Sequence, residues 1–223
     1  MLLLGHRGCR GDFTENTFAA FDHAIESGCD GFELDVRLTA DAVPVIWHDA
    51  RLRGHFISRQ LFSTLRQRCL IAHRLPRRPV IELCQLEDVL VRYSHLAWID
   101  IEIKVRGLEA QVAALLRRYR PTRGFVVSSF RRPVLQVLHR LDPALPLALI
   151  FDRMPRPKVW RDLPIQYVKP AARLVTPARV RQFHAEGKKV LTWTVNHPAA
   201  MRRLIDAGVD GMIGDDPTML AMR

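Results

Sequence analysis

Several features that mark specialised protein classes are missing from this sequence of 223 residues. No apolar run approaches the roughly 20 residues that a membrane-spanning helix needs. The amino-terminal MLLLGHRG has no basic region before its leucines, so it is not typical of a secretory signal. The sequence also has no internal repeat and no low-complexity linker. We therefore expect one sizeable globular domain with its own core.

Cysteine is scarce, and its spacing indicates neither a disulfide framework nor a thiolate metal site. The four cysteines are far apart and form no C-x-x-C pair. Disulfides persist mainly in oxidising compartments, and nothing at the amino terminus predicts export. We therefore expect reduced thiols and a cytoplasmic location.

Acidic residues are outnumbered by basic ones. Lysine and arginine total 34 against 23 aspartates and glutamates, which gives a formal net charge of +11 and a pI of about 10.4. Such a balance raises nucleic-acid binding as a function, yet the sequence has no RRM, zinc-finger or helix-turn-helix signature. A basic field would also attract anionic phosphodiesters or acidic membrane surfaces. We expect a solvated basic surface with no specific nucleic-acid partner.

The stretch from residue 6 to residue 49 concentrates groups that can carry chemistry. His6 and His48 bracket two acids in the motif FELDV, Glu33 and Asp35. A strand sends alternate side chains to opposite faces, so both acids would share one face while apolar residues cover the other. Two like charges on a buried face are costly unless a cation neutralises them, and Mg²⁺ and Ca²⁺ prefer oxygen ligands. For this motif alone, an amphipathic strand with its acids in solvent is the alternative.

A second stretch, IDIEIK at 99–104, repeats the alternation. Asp100, Glu102 and Lys104 would face one way and the three isoleucines the other. A third carboxylate from Glu102 would complete an all-oxygen metal site. Lys104 could then bind a phosphate oxygen, and the alternative is an ion pair between Lys104 and a neighbouring acid.

The order of these motifs carries a resemblance. HRG, ENT, FELDV, PVIWHD and IEIK, followed by WTVN at 193–196 and GMIGDDP near the end, resemble the glycerophosphodiester phosphodiesterase family over nearly the whole chain. The resemblance implies a metal-dependent TIM-barrel enzyme that cleaves glycerophosphodiesters to glycerol 3-phosphate and an alcohol. Thr14 and Gln85 depart from the family pattern, which usually has Pro and Thr there. The segment between these motifs from Asp49 to Gln85 is only loosely similar, which leaves substrate specificity open.

The resemblance implies both the metal site and the acid–base pair. Glu33, Asp35 and Glu102 would be the ligands of a divalent cation, Mg²⁺ or Ca²⁺. His6 and His48 would act as general acid and base, because the ordinary pKa of histidine lies near neutrality. Which histidine is the acid stays open at this point. So does the nucleophile, which is either water or the 2-hydroxyl of glycerol.

Three further residues are candidates for substrate binding. Arg7 and Lys104 are predicted to bind the phosphate, one as a planar fork and the other as a point charge. Trp193 is predicted to pack against the glycerol or the alcohol, with packing in the barrel core as the alternative. Lys169 and Asn196 are weaker candidates.

The hydrophobic pattern predicts the fold class. It indicates about eight strands alternating with helices, and such alternation implies parallel pairing. We predict an α/β fold, a single-domain TIM (β/α)8 barrel over 1–223, with a doubly wound open sheet as the runner-up. The predicted strands are 2–5, 31–36, 97–104, 125–128, 145–151, 166–169, 189–195 and 211–214, with 43–47 as a hairpin partner of the second strand. The predicted helices are 17–27, 86–93, 108–119, 133–141, 177–186, 198–207 and 217–222.

Three local predictions follow from this arrangement. Residues 50–84, which are basic and have little periodicity, are predicted to be a short insertion after the second strand that caps the active site. Asn16 is predicted to cap the first helix. Active sites of TIM barrels lie at the carboxyl ends of the strands, where the candidate residues fall.

Two other functions compete with the phosphodiesterase prediction. One is a related barrel enzyme of the phospholipase D type, such as a sphingomyelinase D, acting on larger lipids. A long apolar lid would favour it, but residues 50–84 are more basic than apolar. The other is a non-catalytic barrel that binds phosphate or nucleic acid, which the presence of both histidines and all three acids argues against. We expect a small-molecule substrate, and the alcohol and the oligomeric state are left open.

Overall fold

The computed structural model describes residues 1–11, 13–73 and 82–222, and its centre is a closed barrel of parallel strands. The eleven strands in the described residues are β1 (Leu2–Gly5), β2 (Gly31–Leu38), β3 (Pro44–Ile46), β4 (Arg51–Leu52), β5 (His55–Phe56), β6 (Trp98–Ile103), β7 (Phe125–Ser129), β8 (Leu147–Phe151), β9 (Tyr167–Pro170), β10 (Lys189–Thr192) and β11 (Gly211–Gly214).

Eight of these strands form the barrel. Their order is β1, β11, β10, β9, β8, β7, β6 and β2, and a parallel pairing of β2 with β1 closes the ring. The remaining member of this sheet, β3, runs antiparallel to the end of β2, with Val36 opposite Ile46. The prediction of a TIM barrel with a hairpin on its second strand is therefore confirmed, and the open-sheet alternative is wrong.

Helices follow most of the barrel strands and cover the outside. They are α1 (Phe18–Glu26), α2 (Phe62–His73), α3 (Leu86–Tyr93), α4 (Glu109–Arg118), α5 (Arg132–Leu141), α6 (Pro157–Arg161), α7 (Pro177–Ala185), α8 (Pro198–Ala207) and α9 (Pro217–Ala221). The sequence pattern missed α2 and α6. Among the described residues, no helix has the length and apolarity that crossing a membrane would require.

The start of α1 corrects one prediction. Thr17 is the cap, and its side-chain oxygen accepts a hydrogen bond from the amide of Ala20. The prediction that Asn16 caps the helix is wrong. Asn16 instead lies in a left-handed conformation, with φ of 60°, and its amide group binds Asp35 in the neighbouring strand.

Residues 50–73 contain the β4–β5 hairpin and α2, which pack beside β3. Four of their apolar side chains form, with Val45 of β3 and with Leu83, a small cluster separate from the main core: Leu52, Ile57, Leu65 and Cys69. The prediction that residues 50–84 cap the active site stays a prediction, and residues 74–81 of that segment lie outside the described residues.

The two faces of each barrel strand have different roles. The outward residues Phe32, Leu34 and Val36 of β2 belong to the large core between barrel and helices. The inward residues of the same strand are the two acids, and β2 pairs with β6 so that Glu33 lies opposite Asp100. Alternation and register together place the four carboxylates of these two strands in the barrel interior, as two successive pairs.

The apolar face of β2 generates a stability prediction. Phe32 is 0% exposed, stacks on Phe21 at a centroid distance of 4.2 Å and meets Tyr93 edge-on at 5.1 Å. We expect Phe32→Ala to lower the free energy of unfolding by about 3–5 kcal/mol, because it removes buried area and leaves a cavity. Phe13, which is 38% exposed, provides the control, and Phe13→Ala should cost less than about 1 kcal/mol. Urea denaturation measures both, and equal losses would contradict this account of the core.

Candidate active site

A cavity of about 140 Å³ opens at the carboxyl end of the barrel. Seven of the eight predicted site residues line it, and the eighth, Asp35, lies directly beneath and is 1% exposed. A larger groove of about 470 Å³ between α5 and α6 contains none of the predicted residues. The lining of the first cavity consists of His6, Arg7, Glu33, His48, Glu102, Lys104, Phe130, Lys169, Trp193 and Ile213.

Three carboxylates converge at one side of this cavity. Oxygen atoms of Glu33, Asp35 and Glu102 lie within 4.8 Å of one another, and all three residues are buried. Burial, together with the charge of Asp35, raises the pKa of Glu33 well above its usual range, although Lys169 opposes the rise. An all-oxygen set that repels itself in this way fits a hard divalent cation.

Two cations bind the same carboxylates. The Lys104 Nζ lies 2.7 Å from Glu102 Oε1 and 3.2 Å from Asp35 Oδ1. The Arg7 Nε lies 3.1 Å from Asp35 Oδ2, but it is not aligned for a hydrogen bond and has no other partner in the described residues. Burial alone would raise the pKa of Asp35, but the charges of Lys104 and Arg7 bring it below its usual range. The ion pair considered as the alternative for Lys104 is therefore present.

The HRG motif makes a sharp turn at the end of β1. Arg7 has φ of 54° and Gly8 has φ of 83°, so two consecutive residues are left-handed. A side chain on Gly8 would meet the backbone of Ala20 at 2.5 Å, which explains the glycine. The turn aims the Arg7 amide at Glu33 Oε2, 3.1 Å away. It thereby places both the backbone and the guanidinium of Arg7 on the acids of β2.

His6 is held by the carboxylate of Asp215, the residue that follows the last strand. Its Nδ1 lies 2.5 Å from Asp215 Oδ1, and its Nε2 lies 3.9 Å from Glu33 Oε2. Asn196 donates a hydrogen bond to the other Asp215 oxygen at 2.6 Å and accepts one from the Asp215 amide. Burial would raise the pKa of Asp215, but the hydrogen bond and charge of His6, with the bond from Asn196, hold it below its usual range.

Asp215 belongs to the GMIGDDP motif, but sequence reasoning assigned it no role. The sequence feature that could have identified Asp215 is the presence of a polar residue in each of two loops that follow adjacent strands. Asn196 follows β10 and Asp215 follows β11, and these neighbouring strands end on the same rim as His6. A polar residue just beyond each of two adjacent barrel strands is a candidate for contact with the site.

His48 reaches the cavity from the loop that follows β3. Its side chain is 34% exposed, and its Nδ1 lies 2.7 Å from Asp49 Oδ1. Asp49 is 73% exposed, so this contact is weak. The hairpin therefore brings His48 to the same cavity as His6, as its predicted return implied.

The floor of the cavity is a buried polar network that the sequence did not predict. The Lys169 Nζ lies 2.6 Å from Asp100 Oδ2, and Ser128 donates a hydrogen bond to Asp100 Oδ1 at 2.6 Å. Burial would lower the pKa of Lys169, but the charges of Asp100 and of the nearby glutamates raise it above its usual range. Lys169 therefore remains a cation beneath the carboxylates.

Trp193 and Phe130 form an aromatic wall at the cavity. The Trp193 indole N–H donates to the Lys169 carbonyl at 3.0 Å, which fixes the ring. Phe130 meets this ring edge-on at a centroid distance of 5.6 Å and is exposed. Phe130 was not among the predicted site residues, because nothing in its local sequence separates it from an ordinary surface phenylalanine.

Comparisons with known proteins agree with one another. A model of the Glycerophosphoryl diester phosphodiesterase family matches residues 6–219. A glycerophosphodiester phosphodiesterase of Caldanaerobacter subterraneus is 30% identical over 98% of this chain and 96% of its own length. The crystal structure of a glycerophosphodiester phosphodiesterase from Thermotoga maritima matches with a TM-score of 0.82 at 25% identity, over 98% of this chain and 96% of that one.

A third similar protein was solved with a molecule bound. It is a phosphodiesterase from Oleispira antarctica in complex with the product sn-glycerol-3-phosphate. Its TM-score is 0.84, and the match covers 99% of this chain and 95% of that one. At 23% identity this likeness shows the shared fold.

The raised pKa of Glu33 predicts a stability gain when its charge is removed. When the pKa of a carboxyl is higher in the folded protein than in the unfolded one, the protein becomes less stable as the pH rises. For Glu33 this loss of stability begins near the unfolded pKa, about 4.3, and continues through the folded pKa. With a chelator present, Glu33→Gln should therefore raise the melting temperature at pH 7, and the gain should shrink as the pH falls toward about 4. Exposed Glu26 is the control, and Glu26→Gln should show no such dependence. A Glu33→Gln variant less stable than the parent at pH 7 would contradict the prediction.

Proposed function

Because this chain belongs to the glycerophosphoryl diester phosphodiesterase family, we propose that it hydrolyses glycerophosphodiesters, such as glycerophosphocholine or glycerophosphoethanolamine, to glycerol 3-phosphate and an alcohol with the help of a divalent cation. The observation that carries the proposal is the convergence of three carboxylates, two histidines and two cations on one cavity. The product bound to the similar Oleispira antarctica enzyme supports the same chemistry here.

The carboxylates of Glu33, Asp35 and Glu102 would hold the cation, Mg²⁺ or Ca²⁺, since hard cations take oxygen ligands. Bound there, the cation would polarise a phosphoryl oxygen and would stabilise the charge that develops on it. Arg7 and Lys104 are the proposed phosphate binders. Support comes from the Arg7 Nε, which has no aligned acceptor, and from Lys104, whose ammonium lies at the cavity between two of the acids.

We assign His6 as the general base. Asp215 holds the Nδ1 of His6, which leaves the Nε2 on the side of Glu33 to take the proton of the attacking group. That group is water or the 2-hydroxyl of glycerol, and in the second case a cyclic phosphate forms and water opens it. A carboxylate behind an imidazole both orients the ring and stabilises the imidazolium that results.

We assign His48 as the general acid. It lies at the solvent side of the cavity, where the alcohol departs, and it gives its proton to the leaving oxygen as the P–O bond breaks. Trp193 and its neighbour Phe130 are proposed to contact the glycerol or the alcohol. The small cavity favours a small diester over a larger lipid.

We also propose a cytoplasmic location, which is supported by four cysteines without a disulfide.

Chelation tests the metal requirement. We expect EDTA to abolish release of glycerol 3-phosphate from glycerophosphocholine, and Mg²⁺ or Ca²⁺ to restore it better than Zn²⁺, because the ligand set is all oxygen. Glu102→Gln should weaken cation binding, measured by calorimetry, and remove activity while the circular dichroism spectrum is unchanged. Full activity in exhaustively chelated enzyme would refute the proposal, and a panel of glycerophosphodiesters assayed with each metal would identify the preferred alcohol.

The two histidines give a separate prediction. His6→Ala and His48→Ala should each lower kcat by about 10²–10⁴-fold, the contribution of one general acid or base. A nitrophenyl diester needs little protonation as its alcohol leaves, so it should rescue His48→Ala and not His6→Ala. His184, an exposed histidine on α7 that binds Asp210, is the control and should tolerate alanine. Rescue of His6→Ala alone would reverse the two assignments.

A further inference from the structure

The backbone hydrogen bonds between β2 and β3 end before His48, the residue that this hairpin brings to the cavity. The pairing of β2 with β3 extends from Leu38 opposite Pro44 to Val36 opposite Ile46. One further backbone hydrogen bond joins the Trp47 amide to the Asp35 carbonyl at 2.9 Å. In the described part of the chain, the backbone of His48 has no bond to other backbone groups. The strand pairing therefore does not itself fix the position of the His48 peptide.

Arg37 contacts this peptide from β2, two residues after Asp35. Its Nε and Nη2 both donate hydrogen bonds to the His48 carbonyl, at 2.8 and 2.6 Å. Two guanidinium N–H groups that donate to the same carbonyl oxygen form a charge-assisted contact. This contact fixes the direction of the carbonyl as well as its distance from the guanidinium. Arg37 is only half-buried overall, but the contact lies closer to the core than the exposed pair of His48 with Asp49.

We propose that Arg37 is the positioning residue of His48, and that it ties the loop bearing the proposed general acid to the strand bearing Glu33 and Asp35. The inference rests on the proposed function, because it gives Arg37 a role through His48. Two donors of the guanidinium are already bound to the carbonyl, which favours a positioning role over phosphate binding. A displacement of about 1 Å in a catalytic group costs on the order of 10²-fold in rate.

A double-mutant cycle on kcat tests the proposal. Arg37→Met keeps much of the aliphatic stem and removes the fork, and we expect kcat to fall by about 10–10²-fold with KM changed less than about threefold. In a His48→Ala background the same substitution should change kcat by less than about twofold, because groups that act as a unit do not sum. Arg37→Lys keeps one donor and should recover part of the loss.

The control variant is Arg132→Met. Arg132 is an exposed arginine at the start of α5, on the same side of the barrel, and its loss removes one positive charge without touching His48. We expect kcat and KM to be unchanged. Melting temperatures accompany every variant, and if Arg37→Met does not fold, Arg37→Gln takes its place in the cycle.

The outcomes separate this inference from the proposed function. A full loss from Arg37→Met in the His48→Ala background, or a loss that falls on KM, would overturn the positioning role and indicate contact with the substrate instead. If kcat of the Arg37→Met variant equals that of the parent while His48→Ala is impaired, the inference fails and the proposed function stands. If His48→Ala itself matches the parent, the proposed mechanism fails.

Discussion

The mutual repulsion of buried carboxylates at the barrel mouth is the constraint on which the rest of the site depends. Four acids in the barrel interior lie against three cations, which leaves a formal net charge of one negative unit when all seven groups are ionised. The proposed divalent cation and a singly charged phosphodiester together would bring this set of charges to neutrality. The acids are Glu33, Asp35, Asp100 and Glu102, and the cations are Arg7, Lys104 and Lys169.

Backbone geometry holds this arrangement together. The β2–β6 register sets Asp35 directly opposite Glu102, so the separation of the acids is a property of the sheet. Left-handed residues then deliver polar groups to the acids. Arg7, with φ of 54°, directs its backbone amide to Glu33. Asn16, with φ of 60°, directs its side-chain amide to Asp35. Non-glycine residues in this region cost about 1 kcal/mol or more, a strain that proteins retain mainly at functional sites.

Sequence periodicity predicted the parts of this account that depend on one segment at a time. The alternation in FELDV placed Glu33 and Asp35 on one face of their strand, and the resemblance to the family joined Glu102 of IDIEIK to them. The α3 and α8 bounds were predicted to the residue. Contacts between distant segments were not accessible. Asparagine is a residue type that is favoured at helix caps, so sequence alone predicted this role for Asn16. Only the packing of its loop against β2 shows that it binds Asp35. Helix α2 was missed because its residues lack a clear apolar stripe.

The most direct test of the central claim is the position of a bound cation. A crystal of this protein soaked in Mn²⁺ and measured at the manganese absorption edge would show it as an anomalous difference peak. The account predicts one strong peak coordinated by oxygens of Glu33, Asp35 and Glu102, with the Lys104 ammonium moved away from the acids that it now contacts. No peak among these three carboxylates, or a single strong peak elsewhere on the chain, would contradict it.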